Sequence, residues 1–226
     1  MPSSQSPKRR HLVVKNPDQN PYVTELEQFN KYIWTDDPQE IGEYTAFLEG
    51  SLVLDLGCGS GNFLRDAARA FPERHFLGFE LRYKRLVLGA RKLKKWGIEN
   101  VRLVQARAEE IDEWFSPNQL YQVHINFPDP WPKKRQRKHR LIQEPFLEKL
   151  NQLLTKDGNF QFKTDHKEYF EEVLGLIKDS KWFSLAELSW DLHNSEFKPN
   201  NIDTEFEKLF LSKGLPVYYL KAFPKG

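Results

Sequence analysis

Three glycines at alternate positions and a later carboxylate form the first group of residues that could do chemistry. The run DLGCGSG at residues 55–61 follows an apolar stretch, and Glu80 ends the next apolar stretch. Glycines such as Gly57, Gly59 and Gly61 let the backbone turn tightly and approach a ligand where a Cβ would collide. A strand-end carboxylate about twenty residues further on can accept both hydroxyls of a ribose. The pattern indicates a site for an adenosine-containing cofactor.

A proline-flanked aspartate is the second such feature. Pro128, Asp129, Pro130 and Trp131 follow an apolar stretch, and the two prolines fix φ on either side of the carboxylate. Ligands of open α/β sheets bind at the carboxyl ends of the strands, so this loop is expected to face the glycine loop. Trp131 offers a flat surface on which a purine could stack. The alternative is that the prolines only end a strand while Asp129 caps a turn.

The segment KKRQRKHR at residues 133–140 follows at once and is called the basic segment below. It holds six of the 34 Lys and Arg residues, and without these six the net charge of +2 would be −4. Such a cluster attracts a phosphate backbone, which favours a nucleic acid as partner. The alternative is a solvated charged surface, which most charge runs are.

Alternating strand-like and helix-like runs must position these residues. Strands are predicted at 52–54, 75–79, 101–104, 121–127, 159–163, 183–192 and 217–222, with helices at 22–33, 38–48, 62–70, 82–96, 108–115, 143–153, 166–179 and 204–212. Repeated strand-then-helix order predicts an α/β fold with a seven-stranded, mostly parallel sheet and helices on both faces. We expect a flexible N-terminal tail at 1–20 and a single domain at 21–226.

Composition limits the class of protein. The chain has 226 residues, 39% of them hydrophobic, a mean hydropathy of −0.69 and one cysteine, Cys58. No internal disulfide is possible, no run is long and apolar enough for a membrane span, and no secretory signal is visible. We therefore expect a cytoplasmic protein without a membrane partner. The six histidines show no ligand spacing, so no structural metal is predicted.

The glycine loop resembles motif I of class I methyltransferases rather than a dinucleotide site. The dinucleotide pattern GxGxxG needs glycine or alanine at position 62, where Asn62 stands. The resemblance implies a Rossmann-like fold and S-adenosylmethionine as cofactor, with Asp55 near its methionine part and Glu80 on its ribose. The alternative is a bare turn between strand and helix, with the glutamate solvated.

The whole set of motifs, in this order, resembles the bacterial tRNA (guanine-N7)-methyltransferases. The most specific part is the Pro-Asp-Pro-Trp stretch that leads into cations. The resemblance implies transfer of a methyl group to N7 of guanine, usually position 46 in the variable loop of tRNA. Asp129 would be the catalytic residue and would also lie against the cofactor.

The same resemblance implies further contacts. Arg107 would contact the adenine, at a position where relatives carry an acid or amide, and the alternative is contact with the backbone of Ala106 to Ala108. The tRNA or its guanine would contact Lys133, Asp165, Thr204, Glu205, Phe206 and Glu207, and phosphates would contact Lys134, Arg135, Arg137, Lys138 and Arg140.

Part of this set could serve local structure alone. Thr204 and Glu207 have the spacing of a capping box, and Asp165 stands where a helix N-cap belongs. A small-molecule methyltransferase or aminopropyltransferase would share the glycine loop but not need the basic segment. A non-catalytic RNA-binding protein would not need the glycine loop and Glu80. We expect a monomer or a weak homodimer, and the sequence does not decide between them.

Overall fold

The computed structural model describes residues 20–35, 40, 44–47 and 51–225. The predicted N-terminal tail lies outside the described residues except for Asn20, whose side chain accepts a hydrogen bond from the Tyr22 amide at 3.1 Å. Of the helix predicted at 38–48, only a four-residue helix at Tyr44–Phe47 lies within a continuous described stretch.

One sheet of eight strands is the centre of the described fold. The strands are β1 (Ile33–Trp34), β2 (Leu52–Leu56), β3 (His75–Phe79), β4 (Val101–Val104), β5 (Leu120–Asn126), β6 (Leu154–Thr164), β7 (Phe183–Ser189) and β8 (Tyr218–Pro224). Their order across the sheet is β1-β4-β3-β2-β5-β6-β8-β7. Pairing is parallel from β1 to β6, and β8 runs antiparallel to both of its neighbours.

Helices cover both faces of the sheet. They are α1 (Pro21–Leu26), α2 (Tyr44–Phe47), α3 (Asn62–Ala70), α4 (Tyr83–Trp96), α5 (Ile111–Trp114), α6 (Glu144–Leu153), α7 (Lys167–Lys178) and α8 (Glu205–Ser212). Alternate residues of β2 point to opposite faces, as strand geometry requires. Leu52 and Leu54 pack with α5, α6 and α7, whereas Val53 packs with α1, α3 and α4. The sheet is therefore buried between two apolar layers.

The predicted fold class is confirmed, with one strand more than the seven predicted. The extra strand is β1, at the end of a segment predicted as helix. It pairs with Leu103 and Val104 of β4, and the Leu103 amide donates to the Tyr32 carbonyl at 2.7 Å. A strand of only two residues is too short to show the alternation of apolar and polar residues by which strands are predicted.

The strand order places a crevice where the direction of winding reverses. Successive strands move outward from β2 through β3 to β4, and then the chain returns to place β5 on the other side of β2. The carboxyl ends of strands at such a reversal are where open α/β sheets bind ligands. None of the helices in the described part of the chain has both the length and the apolar character needed to cross a bilayer.

Candidate active site

A crevice of about 740 Å³ lies at the carboxyl ends of β2, β3, β4 and β5. The first three strands contribute Leu56, Gly57, Gly59, Phe79, Glu80, Ala106, Arg107 and Ala108, and β5 contributes Asn126, Phe127, Pro128, Asp129 and Trp131. The end of the basic segment and Phe206 of α8 complete the walls. The glycine loop and the proline-flanked aspartate therefore meet at one crevice, as the sequence predicts.

The glycine loop needs glycine for its backbone conformation. Gly57, Gly59 and Gly61 all have positive φ, at 80°, 56° and 67°, a region that residues with a Cβ rarely adopt. The amides of Gly57 and Cys58 both donate to the Phe79 carbonyl at 2.9 Å, which fixes the loop against β3. Gly57 and Gly59 line the crevice, whereas Gly61 precedes α3 as its N-cap and does not line it.

Glu80 is oriented by the backbone that follows it. Its Oε1 accepts hydrogen bonds from the amides of Leu81 and Arg82, both at 2.8 Å. The carboxylate lines the crevice at the end of β3. Held in this way, the group can accept hydroxyl donors from a ribose without first losing side-chain freedom.

Asp55 lies behind the crevice wall. It is 2% exposed and is not among the residues that line the crevice. Its Oδ1 accepts a hydrogen bond from Nδ2 of Asn126 at 3.1 Å, and Asn126 does line the crevice. Burial raises the pKa of Asp55 to about 7, although the Asn126 hydrogen bond and the Lys163 charge act in the opposite direction. A direct contact of Asp55 with the cofactor stays a prediction.

Asn126 is a crevice residue for which the sequence motifs indicate no role. Its Nδ2 is committed to Asp55, and its Oδ1 is buried without a hydrogen-bond partner in the described structure. A polar side chain at the last position of an otherwise apolar central strand is the signal that could have found it.

Two bulky residues with positive φ bracket the proline-flanked aspartate. Phe127 has φ of 51° and Trp131 has φ of 41°, values that cost free energy for residues with a Cβ. The Phe127 amide donates to the Lys163 carbonyl at 2.8 Å, and its ring packs against Phe206 at 5.7 Å between centroids. The loop of residues 127–131, called the aspartate loop below, is thus held in a strained conformation by its surroundings.

Asp129 presents an unpaired carboxylate to the crevice. It is exposed, it lines the crevice, and it has no ion pair or hydrogen bond with any residue that the structure describes. Its neighbours Pro128 and Pro130 restrict the backbone on both sides. The backbone that carries the carboxylate is therefore restricted, and the charge is available to a ligand.

The basic segment forms a 3₁₀ helix at Lys134–His139. Lys138, His139 and Arg140 line the crevice, and the His139 ring lies 5.4 Å from the Trp131 ring. Lys133, Lys134 and Arg135 are exposed and lie outside the crevice lining. The segment thus begins in solvent and ends at the crevice wall.

Two arginines of the basic segment have structural partners. Arg137 forms an ion pair with Glu168 of α7. The Arg140 side chain is fully buried, pairs with Glu172, and donates from Nε to the Pro130 carbonyl at 2.8 Å. We withdraw Arg140 from the predicted RNA contacts, because a guanidinium that anchors the aspartate loop from inside the protein cannot reach a phosphate in solvent.

Thr204 and Glu207 form the capping box that their spacing allows. Thr204 Oγ1 accepts from the Glu207 amide at 3.1 Å, and Glu207 Oε2 accepts from the Thr204 amide at 2.8 Å. Glu207 is completely buried and forms an ion pair of 3.1 Å with Lys163, which is 1% exposed. Both oxygens of Glu207 are occupied within the protein, since Oε1 accepts from Asn201 at 2.8 Å.

Three side chains beside α8 have the types and separation that a metal ion would need, namely His193, Asp203 and Glu207. Both carboxylates already have a cationic partner, because Glu207 pairs with Lys163 and Asp203 pairs with Lys198. A divalent cation would have to displace these ammonium groups, so the geometry favours an internal ion-pair cluster.

The remaining predicted substrate residues separate into one that lines the crevice and two that do not. Phe206 is 47% exposed and forms part of the crevice wall. Glu205 accepts a hydrogen bond from Asn62 at 3.0 Å, at the start of α3. Asp165 is exposed away from the crevice lining. The N-cap of α7 is His166 rather than Asp165, since His166 Nδ1 accepts from the Tyr169 amide at 3.2 Å.

Arg107 lies where the chain leaves β4, at the edge of the crevice. Ala106 and Ala108 line the crevice beside it. The Arg107 side chain is about half exposed, and its Nε lies 3.8 Å from a carboxylate oxygen of Glu109. Both the arginine and the adjoining backbone are placed to meet a ligand, so the contact of Arg107 with adenine stays a prediction.

The crevice fits an adenosine-containing cofactor. Its volume lies within the range of about 300–1,000 Å³ that small-molecule sites occupy. Glu80 is oriented for a ribose, and at Gly57 no atom outside the loop would lie within 4 Å of a Cβ, so the backbone there is open to a ligand. These observations agree with the similarity to motif I.

Comparison with known proteins decides the family. A family model described as "putative methyltransferase" matches residues 49–220. A tRNA (guanine-N(7)-)-methyltransferase of Lachnoclostridium phytofermentans is 33% identical, over 86% of this chain and 91% of that protein. The chain belongs to the tRNA (guanine-N7)-methyltransferase family.

Two further comparisons agree with this assignment at the level of domain and fold. A "bifunctional glycosyltransferase/methyltransferase" of Fusobacterium nucleatum is 40% identical over 86% of this chain, which spans only 31% of that longer protein. The crystal structure of the 16S rRNA methyltransferase KamB has a TM-score of 0.61 at 16% identity, covering 82% of this chain and 94% of the other. The second likeness concerns the fold alone.

Membership of a methyltransferase family confirms S-adenosylmethionine as the cofactor. This cofactor carries a methyl group on a positively charged sulfonium sulfur. The crevice residues that would hold it are Gly57, Gly59 and Glu80, with the backbone around Arg107 at the other end of the crevice. Family membership also favours methyl transfer over aminopropyl transfer and over RNA binding without catalysis.

Proposed function

We propose that this protein methylates N7 of a guanine in tRNA, with guanine 46 of the variable loop as the target. Relatives at 33% to 38% identity are named tRNA (guanine-N(7)-)-methyltransferases. The single observation in the site that supports the proposal best is the unpaired carboxylate of Asp129 in the same crevice as the glycine loop and Glu80.

The chemistry of N7 suits a fixed carboxylate. Guanine N7 has an in-plane lone pair and no hydrogen, so methylation there needs no base and leaves the purine with a positive charge. A carboxylate that is already oriented can stabilise that developing charge, or can accept hydrogen bonds from guanine N1–H and N2–H and orient the ring. Asp129 supplies a carboxylate on restricted backbone and does not have to break an existing ion pair in the part of the chain that the structure describes.

Aromatic side chains on either side of the aspartate loop suit a flat purine. Trp131 belongs to the loop, and Phe206 faces it from α8, held by its contact with Phe127. Both rings line the crevice and are partly exposed. We assign to them the stacking that would hold a guanine taken out of the RNA.

The exposed cations of the basic segment would hold the RNA backbone. Lys133, Lys134, Arg135 and Lys138 are exposed, and among the described residues none of their side chains has a carboxylate partner. Arg137 is a weaker candidate because Glu168 offsets its charge. A phosphate contact from this segment would place a nucleotide at the mouth of the crevice.

Incubation of the protein with methyl-labelled S-adenosylmethionine and unmodified tRNA tests the proposed function. We expect label in the RNA, 7-methylguanosine on nucleoside analysis, and loss of the label when a tRNA transcript carries adenine in place of guanine 46. No label in tRNA, or label in another nucleoside, would refute the reaction. Label that persists in the adenine-46 transcript would refute only the assigned position.

A further inference from the structure

A second basic surface runs along α3 and α4, away from the basic segment. It consists of one exposed tryptophan, four cations on the same two helices, and a fifth cation at the crevice edge. We call it the α3–α4 basic strip and define it as Arg65, Arg69, Arg85, Lys92, Lys95 and Trp96. The sequence pattern concentrates the positive charge of the chain mainly in the basic segment, and the fold adds this second concentration.

All charged side chains of α4 are positive. Its 14 residues include six Lys and Arg and no Asp or Glu. Arg85, Lys92 and Trp96 recur at spacings of seven and four, which places them along one side of a helix. Solubility alone favours mixed charges of both signs on a surface helix, so this composition suits an anionic partner.

Trp96 is the least expected member of the strip. It is 50% exposed at the end of α4, and the guanidinium carbons of Arg69 and Arg65 lie 5.0 Å and 5.8 Å from its ring centroid. An indole exposed to this extent is a surface on which a base or ribose can stack, and neighbouring arginines add charge for a phosphate. The combination is typical of an RNA-binding surface.

The cations of the strip differ in whether they already have a partner within the protein. Lys92 donates to the Ser60 hydroxyl at 2.8 Å and to Asn62 at 2.7 Å, which ties it to the glycine loop. Arg65 pairs with Asp66 at 2.8 Å. Arg69 and Lys95 are exposed, and neither has a carboxylate partner in the part of the chain that the structure describes. Two unneutralised charges therefore lie at the Trp96 end.

The strip begins at the crevice edge and extends further than one nucleotide. Arg85 lines the crevice, and Trp96 follows it after eleven residues of helix, a distance of about 16 Å at 1.5 Å per residue. An RNA that places one guanine in the crevice extends beyond it in both directions. The basic segment follows β5 and α4 follows β3, and these two strands lie on opposite sides of β2.

We propose that the α3–α4 basic strip binds the backbone of the tRNA away from the target guanine, with Trp96 against a base or ribose. This inference rests on the proposed function, because it takes the partner to be the tRNA itself. The tRNA would then contact the protein on both sides of the crevice.

The test is tRNA binding as a function of salt, measured by fluorescence anisotropy on the full chain. One variant removes the two free charges, Arg69→Gln with Lys95→Gln, and a second, Trp96→Leu, removes the indole alone. The matched control is Lys178→Gln with Lys181→Gln, which removes the same charge at the opposite end of the sheet and also includes a cation over a tryptophan, since Lys181 Nζ lies 4.4 Å from the Trp182 ring.

The charge variant is expected to bind tRNA about tenfold more weakly and to reduce the slope of log Kd against log salt by about two, while the control keeps both values. Trp96→Leu is expected to weaken binding at least about fivefold with the slope unchanged. Turnover at saturating tRNA should stay at the wild-type value in all three, because none of the altered residues lines the crevice.

Wild-type affinity and slope in the charge variant would overturn the inference. Equal losses in the control variant would also overturn it, because they would show a general effect of net charge. The same holds if the charge variant binds tRNA like the wild type but no longer binds vesicles with anionic lipids, because the strip would then bind membranes rather than RNA. The proposed function fails separately, if wild-type protein binds tRNA but forms no 7-methylguanosine. The binding comparison does not depend on methyl transfer, so the two failures can be told apart.

Discussion

The aspartate loop and the start of α8 face each other across the crevice, and their carboxylates differ in burial and pairing. In the aspartate loop, Asp129 is exposed and unpaired within the described structure, on a backbone held in an unfavourable conformation. At the start of α8, Glu207 is fully buried and every oxygen has a partner. The sequence resemblance makes Asp129 the catalytic residue and places Glu207 on the tRNA or its guanine, although the spacing of Glu207 also allows a capping box.

The difference separates residues that bind a ligand from residues that position one. An exposed carboxylate without a partner in the protein keeps its charge available to a ligand, whereas a carboxylate in a capping box and a buried ion pair already uses its charge within the fold. Phe206 belongs to the helix that Glu207 caps, and its ring forms part of the crevice wall. We therefore expect Glu207 to affect the site only through the position of Phe206.

The largest effect is expected on stability, for Glu207→Leu. This change leaves the Lys163 ammonium buried without its carboxylate, and breaking a buried pair in this way costs about 3–5 kcal/mol. Burial already lowers the pKa of Lys163, so part of the cost can be relieved by loss of its proton. Urea unfolding of the variant and the wild type measures the difference.

The double variant Glu207→Leu with Lys163→Met is the control for that prediction. Removing both charges leaves no unpaired ion, so most of the lost stability should return. If Glu207 only positions Phe206, the double variant should keep methyl transfer near the wild-type rate. A stable double variant without turnover would show instead that Glu207 contacts the substrate.

Asp129→Asn is expected to give the next largest effect, on turnover rather than on stability. Loss of one fixed group that stabilises transition-state charge lowers rates about 10²- to 10³-fold. Because Asp129 is exposed and has no partner among the described residues, the melting temperature and tRNA affinity should change little. Single-turnover methyl transfer at saturating tRNA, together with anisotropy, measures both properties.

Asp157→Asn is the matched control, since Asp157 is an exposed carboxylate on β6 outside the crevice lining. It should transfer methyl groups at the wild-type rate. A near-normal rate for Asp129→Asn would refute the proposed mechanism, because the unpaired carboxylate would then have no part in the reaction.

Local patterns account for most of the fold. The bounds predicted for β3, β4 and α3 agree with the structure, because each has a strong apolar period and clear turn residues at its ends. The capping box of Thr204 and Glu207 is also visible in the sequence, since all of its contacts lie within three residues. The crevice follows from strand order, which brings the ends of β2 and β5 together.

The parts that could not be predicted depend on distant partners. Arg140 is one of six cations in a run, and only the fold shows that Glu172 and the Pro130 carbonyl bury it. The positive φ of Phe127 and Trp131 is imposed by the surrounding structure against the preference of each residue. The Asp55–Asn126 hydrogen bond joins residues 71 positions apart. Sequence spacing contains no record of such contacts.

Asp55 is buried like Glu207 but lacks an ion pair of its own among the described residues. We expect this to make the stability of the fold depend on pH. Burial raises its pKa from the ordinary value of 3.8 to about 7. A carboxyl group with a raised pKa in the folded state stabilises the fold most at low pH, and that contribution is lost as pH rises towards 7. Between pH 5 and pH 7 the loss should be about 2 kcal/mol.

Asp55→Asn isolates this contribution, because an amide of the same shape does not titrate. Other charges close to Asp55, namely Lys163 and Glu80, are unchanged in the variant. The free energy of unfolding of the wild type, relative to that of the variant, should therefore fall between pH 5 and pH 7. A difference that does not vary over this range would show that Asp55 has an ordinary pKa.

Thr204→Ala is expected to have the smallest effect, and it tests the role of α8 most directly. The change removes the hydroxyl that accepts from the Glu207 amide, and a lost N-cap costs about 1 kcal/mol. The Lys163–Glu207 pair stays intact, so Phe206 should keep its place and turnover per folded molecule should match the wild type. Urea unfolding and single-turnover rates measure the two effects. If turnover falls by about tenfold or more while stability falls by only about 1 kcal/mol, the Thr204 hydroxyl acts on the substrate, and α8 uses its polar groups for chemistry as the aspartate loop does.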